Sequence, residues 1–174
     1  MNVLIVRGYN SFEFVKETIS ISNTDVNVTM VPIGKPVKLK KKLLGIMLEY
    51  DFDSYDQIYV VSMASCITSL LHERHFNKIC MITPFFLYTH PVCNLLKSTP
   101  KDFFGCHILM AINRKMGKFD DRVRVKLAEN DRITDNKYFS KRFNSVETIP
   151  NVTHCLGEDG VLEIVKDDML RFIK

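Results

Sequence analysis

The sequence predicts an α/β protein built on a buried, mostly parallel sheet. Two observations carry that expectation. Short apolar runs rich in β-branched residues recur along the chain, and segments of helical character separate them, which is the pattern of consecutive βαβ units. A chain of 174 residues suits one compact domain with a real core.

The expected strands are 3–6, 26–31, 58–61, 79–83, 122–127 and 146–149, each a short run dominated by Val, Ile, Leu or Met. The expected helices are 12–20, 37–50, 64–75, 136–143 and 161–173. In chain order the elements alternate strand and helix up to the fourth strand. The stretch 85–121, with two prolines, His90, His107 and an expected helix near 105–114, then reads as an insertion or cap. No repeat, low-complexity linker or composition break divides the chain, so a single domain over 1–174 is expected.

Composition narrows the function classes. Hydrophobic residues at 46% against charged residues at 25% give globular composition and argue against long disorder. The net charge of +4 comes largely from clusters such as Lys38, Lys40, Lys41 and Lys42. Without aromatic residues interleaved they read as a solvated helix face, and no nucleic-acid partner is expected. The five cysteines, Cys66, Cys80, Cys93, Cys106 and Cys155, contain no CxxC pair. Neither a zinc site nor a disulfide framework is indicated, and a reducing cytoplasm fits best. The opening apolar run is too short for a signal peptide and no run reaches the length of a membrane span, so a soluble protein is expected.

In a doubly wound sheet, ligands bind beyond the carboxyl ends of the strands. The turns there are Arg7-Gly8-Tyr9-Asn10-Ser11, Ser62-Met63-Ala64-Ser65, Asn130-Asp131-Arg132-Ile133 and Asn151-Val152-Thr153-His154. They offer a tight glycine loop, a serine, an aspartate and a histidine. A serine hydroxyl is a weak nucleophile until an imidazole takes its proton, and a buried carboxylate holds that imidazole in the required tautomer. An oxyanion needs two backbone N–H donors, for which Met63 and Tyr9 are the candidates.

These patches resemble the small YqiA-type esterases of the α/β-hydrolase superfamily, whose elbow and following segment read G-x-S-x-G-G…L-x-E-R…K-x-x-x-I-x-P. Laid without a gap, Ser62 falls on the nucleophile and Ala64 and Ser65 on the two glycines. Leu71, Glu73 and Arg74, then Lys78 and Pro84, fall on the later positions. Arg7-Gly8-Tyr9-Asn10-Ser11 is similar to the family's H-G-F-N-S, and Asn130 to Asp135 to its G-D-x-V-x-D. His154 follows the last strand as the family's final histidine does. The resemblance implies a compact α/β-hydrolase-like three-layer sandwich and a serine hydrolase, an esterase or thioesterase acting on a small acyl ester, with no metal or organic cofactor. It implies Ser62, Asp131 and His154 as the catalytic triad, with Gly8, Tyr9, Asn10 and Met63 around the oxyanion or substrate. The elbow is degenerate: Val60 stands where a small residue belongs, Ala64 replaces a glycine, and Arg7 replaces a histidine. Val60 is expected to crowd the turn.

Several alternatives stay open. A register shifted by two would put Ala64 on the nucleophile and leave a dead site, at the loss of the Glu73-Arg74, Lys78 and Pro84 matches. Separately, Val60 and Arg7 leave open a catalytically silent hydrolase scaffold that has lost turnover and binds a protein or small ligand. Asp135 is the substitute for Asp131, which as a loop aspartate also suits helix capping. His72 and His75, at i and i+3, read as a solvated face rather than metal ligands, and Cys66 as core. The aromatic residues Phe85, Phe86, Tyr88, Phe103 and Phe104 serve equally to line an acyl pocket or to pack a cap.

Overall fold

The computed structural model describes residues 1–8, 14–34, 39–84, 122–131, 134, 136–154 and 156–173. The expected cap, 85–121, lies outside the described residues. One sheet of seven strands runs through the rest: β1 (Asn2–Arg7), β2 (Val15–Ile21), β3 (Thr24–Pro32), β4 (Gln57–Val61), β5 (Ile79–Ile82), β6 (Arg124–Ala128) and β7 (Val146–Ile149), in the spatial order β2-β3-β1-β4-β5-β6-β7. Every pairing is parallel except that of β2 with β3. The helices are α1 (Leu39–Glu49), α2 (Asn136–Arg142) and α3 (Glu158–Met169).

Both faces of the sheet are covered, which is why the middles of its central strands, Val3 to Val6, Ile58 to Val61 and Ile79 to Ile82, are continuous apolar runs. On one face Leu4, Ile58, Val60 and Met81 pack with Leu43 and Ile46 of α1 and Phe139 of α2. On the other, Ile5, Tyr59, Val61 and Ile82 pack with Val161, Ile164, Val165 and Met169, the inward stripe of α3. The fold is therefore the three-layer α/β sandwich with a mostly parallel sheet that the sequence predicts.

Two elements differ from expectation. The helix expected over 12–20 is instead the edge strand β2, preceded by residues outside the description. Its side chains alternate cleanly: Val15, Glu17, Ile19 and Ile21 turn inward while Lys16, Thr18 and Ser20 are exposed. Ser22 and Asn23 close the hairpin to β3 with φ of 47° and 63°, the two positive values a type I′ turn requires. The helix expected over 64–75 is two 3-10 segments, Ser62–Ser69 and Glu73–Lys78, broken at Leu70, Leu71 and His72. The chain there must bury Met63, Ala64, Cys66 and Ile67 against the sheet. The tighter winding offers poorer hydrogen bonds, so packing rather than helix propensity holds it.

That second segment also corrects the reading of His75. It is buried at 5% exposure, edge-on to Phe52, with Nδ1 3.6 Å from Asp53; only His72 is exposed, where its ring caps the segment by accepting from the Arg74 N–H. Of the lysine run, Lys41 is exposed, whereas the Lys42 ammonium donates to the Ile33 carbonyl at 2.9 Å. No cluster of metal-ligating side chains occurs among the described residues, and no described helix is long and apolar enough to cross a membrane.

A charged network crosses from α3 to the sheet. The Asp168 carboxylate, 2% exposed, accepts from the Tyr59 hydroxyl at 2.8 Å and pairs with Lys126 at 3.1 Å and with Arg124. Lys126 also meets Glu147 at 2.7 Å. Burial holds the Tyr59 hydroxyl protonated far above its ordinary range, and the adjacent Asp168 carboxylate adds to this.

Two predictions follow from this packing. Asp168→Ala removes the shared partner of the buried Lys126 and the half-buried Arg124 and is expected to destabilise the fold by about 3–5 kcal/mol, read as a lowered urea midpoint. Burial lowers the His75 pKa below its ordinary 6.5, with Asp53 opposing and Arg74, Lys78 and His72 adding to the drop. The unfolded chain thus takes up the proton first, so this group's share of stability is present above 6.5 and is lost as pH falls below it. In His75→Gln, the slope of unfolding free energy against pH between 6.5 and 5 should flatten relative to wild type.

Candidate active site

The carboxyl ends of β4, β6 and β7 lie along one edge of the sheet. Ser62 follows β4 directly, with φ of 53°. A left-handed conformation is costly for a side-chain-bearing residue and turns the serine out of the strand line, as a nucleophile elbow does. Val60 is fully buried and packs in the same cluster as Ala64, and its carbonyl accepts from Ser65 Oγ at 3.3 Å.

Hydrogen bonds beyond the strand ends bring the other two loops together. Glu129 N donates to Ile149 O at 3.0 Å and Asn130 N to Val152 O at 2.9 Å, extending the β6–β7 ladder. Asn151, with φ of 58°, turns the chain and is held by its N–H to the Glu129 carboxylate at 2.9 Å. His154 and Asp131 emerge side by side.

The result is a continuous chain of contacts. Ser62 Oγ lies 2.8 Å from His154 Nε2, and His154 Nδ1 lies 2.8 Å from Asp131 Oδ2. The Asp131 side chain is fully buried and that of His154 is 10% exposed, while Ser62 is half-buried. Asp131 also bonds locally: its other oxygen, Oδ1, accepts from Thr134 N at 2.9 Å. The helix begins only at Asn136, so this contact braces the turn rather than capping the helix, and the two Asp131 oxygens serve Thr134 N and His154 separately. Asp135 lies outside the described residues.

Gly8 is where β1 meets the elbow. A Cβ there would sit 2.9 Å from Met63 N, 3.0 Å from Val61 O and 3.2 Å from Met63 Cβ, so only glycine lets the two loops approach. The Met63 N–H is therefore at the junction of the elbow and the loop after β1. Tyr9 and Asn10 lie outside the described residues, as do Phe85, Phe86, Tyr88, Phe103 and Phe104.

Arg7 is buried. Its guanidinium pairs with Glu158 at 3.1 Å and donates to Leu156 O at 3.2 Å, tying the end of β1 to the segment just after His154. Burial lowers its pKa, opposed by Glu158. Cys66 and Cys80 are buried in the two cores, and burial pushes each thiol up to about 12. Neither is available as a nucleophile.

Thr134 is the residue that the sequence reading passed over. Its Oγ1 donates to Pro84 O at 2.8 Å and lies 3.3 Å from His154 Nδ1. The available signal was its place three residues after Asp131, where a backbone N–H bonds back to an aspartate side chain.

No protein-family model matches the chain, and no curated protein matches it. Among solved structures it is similar to one reported with LipS and LipT, two metagenome-derived lipolytic enzymes, at TM-score 0.49 and 9% identity over 98% of this chain and 93% of the other. It is similar to human thioesterase 2 at TM-score 0.48 and 8% identity, covering 99% and 93%. It is also similar to the type II thioesterase BorB of the borrelidin biosynthetic cluster, at 0.43 and 10%, covering 99% and 91%.

Gly8→Ala should force backbone apart at the elbow. The expected outcome is a loss of about 1–3 kcal/mol in unfolding free energy, with reactivity of Ser62 toward an electrophilic probe falling further than that loss explains, measured by denaturation and labelling rate in parallel.

Proposed function

We propose that the protein is a serine hydrolase of the α/β-hydrolase superfamily, an esterase or thioesterase acting on a small acyl ester, with an elbow that resembles the YqiA-type pattern. The observation that carries this reading is the contact chain from Ser62 through His154 to Asp131, both links at 2.8 Å, with Ser62 on a positive-φ turn.

In this reading Ser62 Oγ attacks the acyl carbon and its proton passes to His154 Nε2. The buried Asp131 carboxylate orients the ring and stabilises the imidazolium. The tetrahedral oxyanion takes the Met63 N–H, with Tyr9 as the proposed second donor. Collapse expels the alcohol or thiol, which takes the proton back from Nε2 and leaves an acyl-serine. Water then attacks the acyl carbon, giving its proton to Nε2, and release of the acid returns that proton to Ser62. Each step is acid–base chemistry on oxygen, nitrogen and carbon, for which no metal or organic cofactor is proposed.

The alternative was a catalytically silent binding domain. It would be favoured by a fully buried Ser62 or a His154 turned away; Ser62 is half-buried and the ring reaches it.

The test is labelling of the purified protein with a fluorophosphonate, with the modified peptide mapped by mass spectrometry. Labelling is expected at Ser62, absent in Ser62→Ala and reduced on the order of 10³-fold or more in His154→Ala. A folded wild-type protein that does not label would overturn the hydrolase reading in favour of the silent one.

A further inference from the structure

We infer that Thr134 is a positioning residue that acts with Asp131 to fix which nitrogen of His154 carries the proton. The inference rests on the reading of His154 as the general base for Ser62. The Thr134 hydroxyl has one proton to give and two lone pairs. Thr134 Oγ1 sits 2.8 Å from the carbonyl oxygen of Pro84 in a buried setting. A carbonyl only accepts, so the hydroxyl proton is committed to it. Oγ1 then has lone pairs alone to present to His154 Nδ1, 3.3 Å away.

The same ring nitrogen faces Asp131 Oδ2 at 2.8 Å. With two acceptors against it, Nδ1 must bear the hydrogen; the opposite tautomer would set its lone pair against a carboxylate and a hydroxyl oxygen in a nearly water-free place. Nε2 is left with its lone pair toward Ser62 Oγ, the state a base requires.

Thr134 also acts on the acid. Its N–H holds Asp131 Oδ1 at 2.9 Å, and its hydroxyl pins that turn to Pro84, just beyond β5. One residue, 6% exposed, thus links the ends of β5 and β6 to the histidine loop after β7. Asp131 supplies the charge in this arrangement. Thr134 supplies a second, directionally fixed acceptor and the anchorage that keeps the carboxylate on the ring.

The experiment uses the full chain labelled with ¹⁵N, as wild type, Thr134→Val and Thr134→Ser, with the imidazole nitrogens of His154 assigned through His154→Gln. Wild type and Thr134→Ser should each give one tautomer, protonated on Nδ1, with a ring proton that persists against solvent exchange. Thr134→Val, which keeps the shape and removes the hydroxyl, should give mixed tautomers or a ring proton lost to exchange. In parallel, the maximal rate of fluorophosphonate labelling should fall about tenfold in Thr134→Val and less than about threefold in Thr134→Ser, with the half-saturating probe concentration unchanged.

A Thr134→Val protein whose ring spectrum matches wild type overturns the proposal, as does a wild-type ring protonated on Nε2. Should Thr134→Val not fold, Thr134→Ala is read by the same criterion. Failure of wild type to label at Ser62, with the ring spectra as expected, would remove the hydrolase reading and leave the assignment of Thr134 standing.

Discussion

Parallel register is the constraint on which the site depends. β1, β4, β5, β6 and β7 run the same way, so all of their carboxyl ends lie along one edge. Residues from turns 23 and 92 positions apart in sequence then come within hydrogen-bond reach. The covering of both faces is what fixes that register. A slip of one residue in β4 would exchange Ile58 and Val60, which pack toward α1, with Tyr59 and Val61, which pack toward α3. It would also pull the Tyr59 hydroxyl from Asp168 and turn Ser62 back into the sheet. The two cores and the buried ion network therefore set the geometry of a serine that belongs to neither.

The parallel strands were legible because their composition is forced: covered on both sides, they have no polar face to write, and short runs such as Ile58 to Val61 or Ile79 to Ile82 carry that signal alone. β2 was misread for the complementary reason. An edge strand half open to solvent has mixed composition, and Phe12, Phe14, Val15 and Ile19 imitate a helical stripe. The period of two in Val15, Glu17, Ile19 and Ile21, together with Ser22-Asn23, was the better guide. His75 was misread through the break in the segment containing it. Once Leu70 to His72 interrupt the helix, an i, i+3 spacing no longer places His72 and His75 on one face, and one is exposed while the other is buried.

At the site, the residue types and their chain order were readable because each follows a strand whose end could be placed. What could not be read was support from a distance. Arg7 reaching Glu158 and Leu156, or Thr134 reaching Pro84, depends on which loops become neighbours, and periodicity carries no information about that. The concern over Val60 had the same origin. Whether a branched side chain crowds a turn depends on which face of the sheet it enters, and Val60 enters the core.

Backbone strain divides the two edges of the sheet. Among the described residues, the non-glycine positions with positive φ at the amino edge are Ser22 and Asn23, adjacent in a turn that needs both. At the carboxyl edge they are Ser62, Thr83 and Asn151, following β4, β5 and β7. Each conformation costs on the order of 1–3 kcal/mol, and a β-branched threonine at φ 42° is the least expected of them. Such residues persist only where their surroundings overdetermine them. Thr83 is held by its N–H to Lys126 O at 2.8 Å, so the strand that bears the ion network also bends the chain after β5. The following residue then presents its carbonyl to Thr134. Asn151 is held by Glu129, and the histidine follows three residues later. Strain and restraint thus alternate along one edge: at each of these strand ends the fold spends some stability to turn the chain, and the next side chain or carbonyl is delivered to the contact chain of Ser62, His154 and Asp131. A sheet relaxed at these three ends would keep its core and lose that convergence.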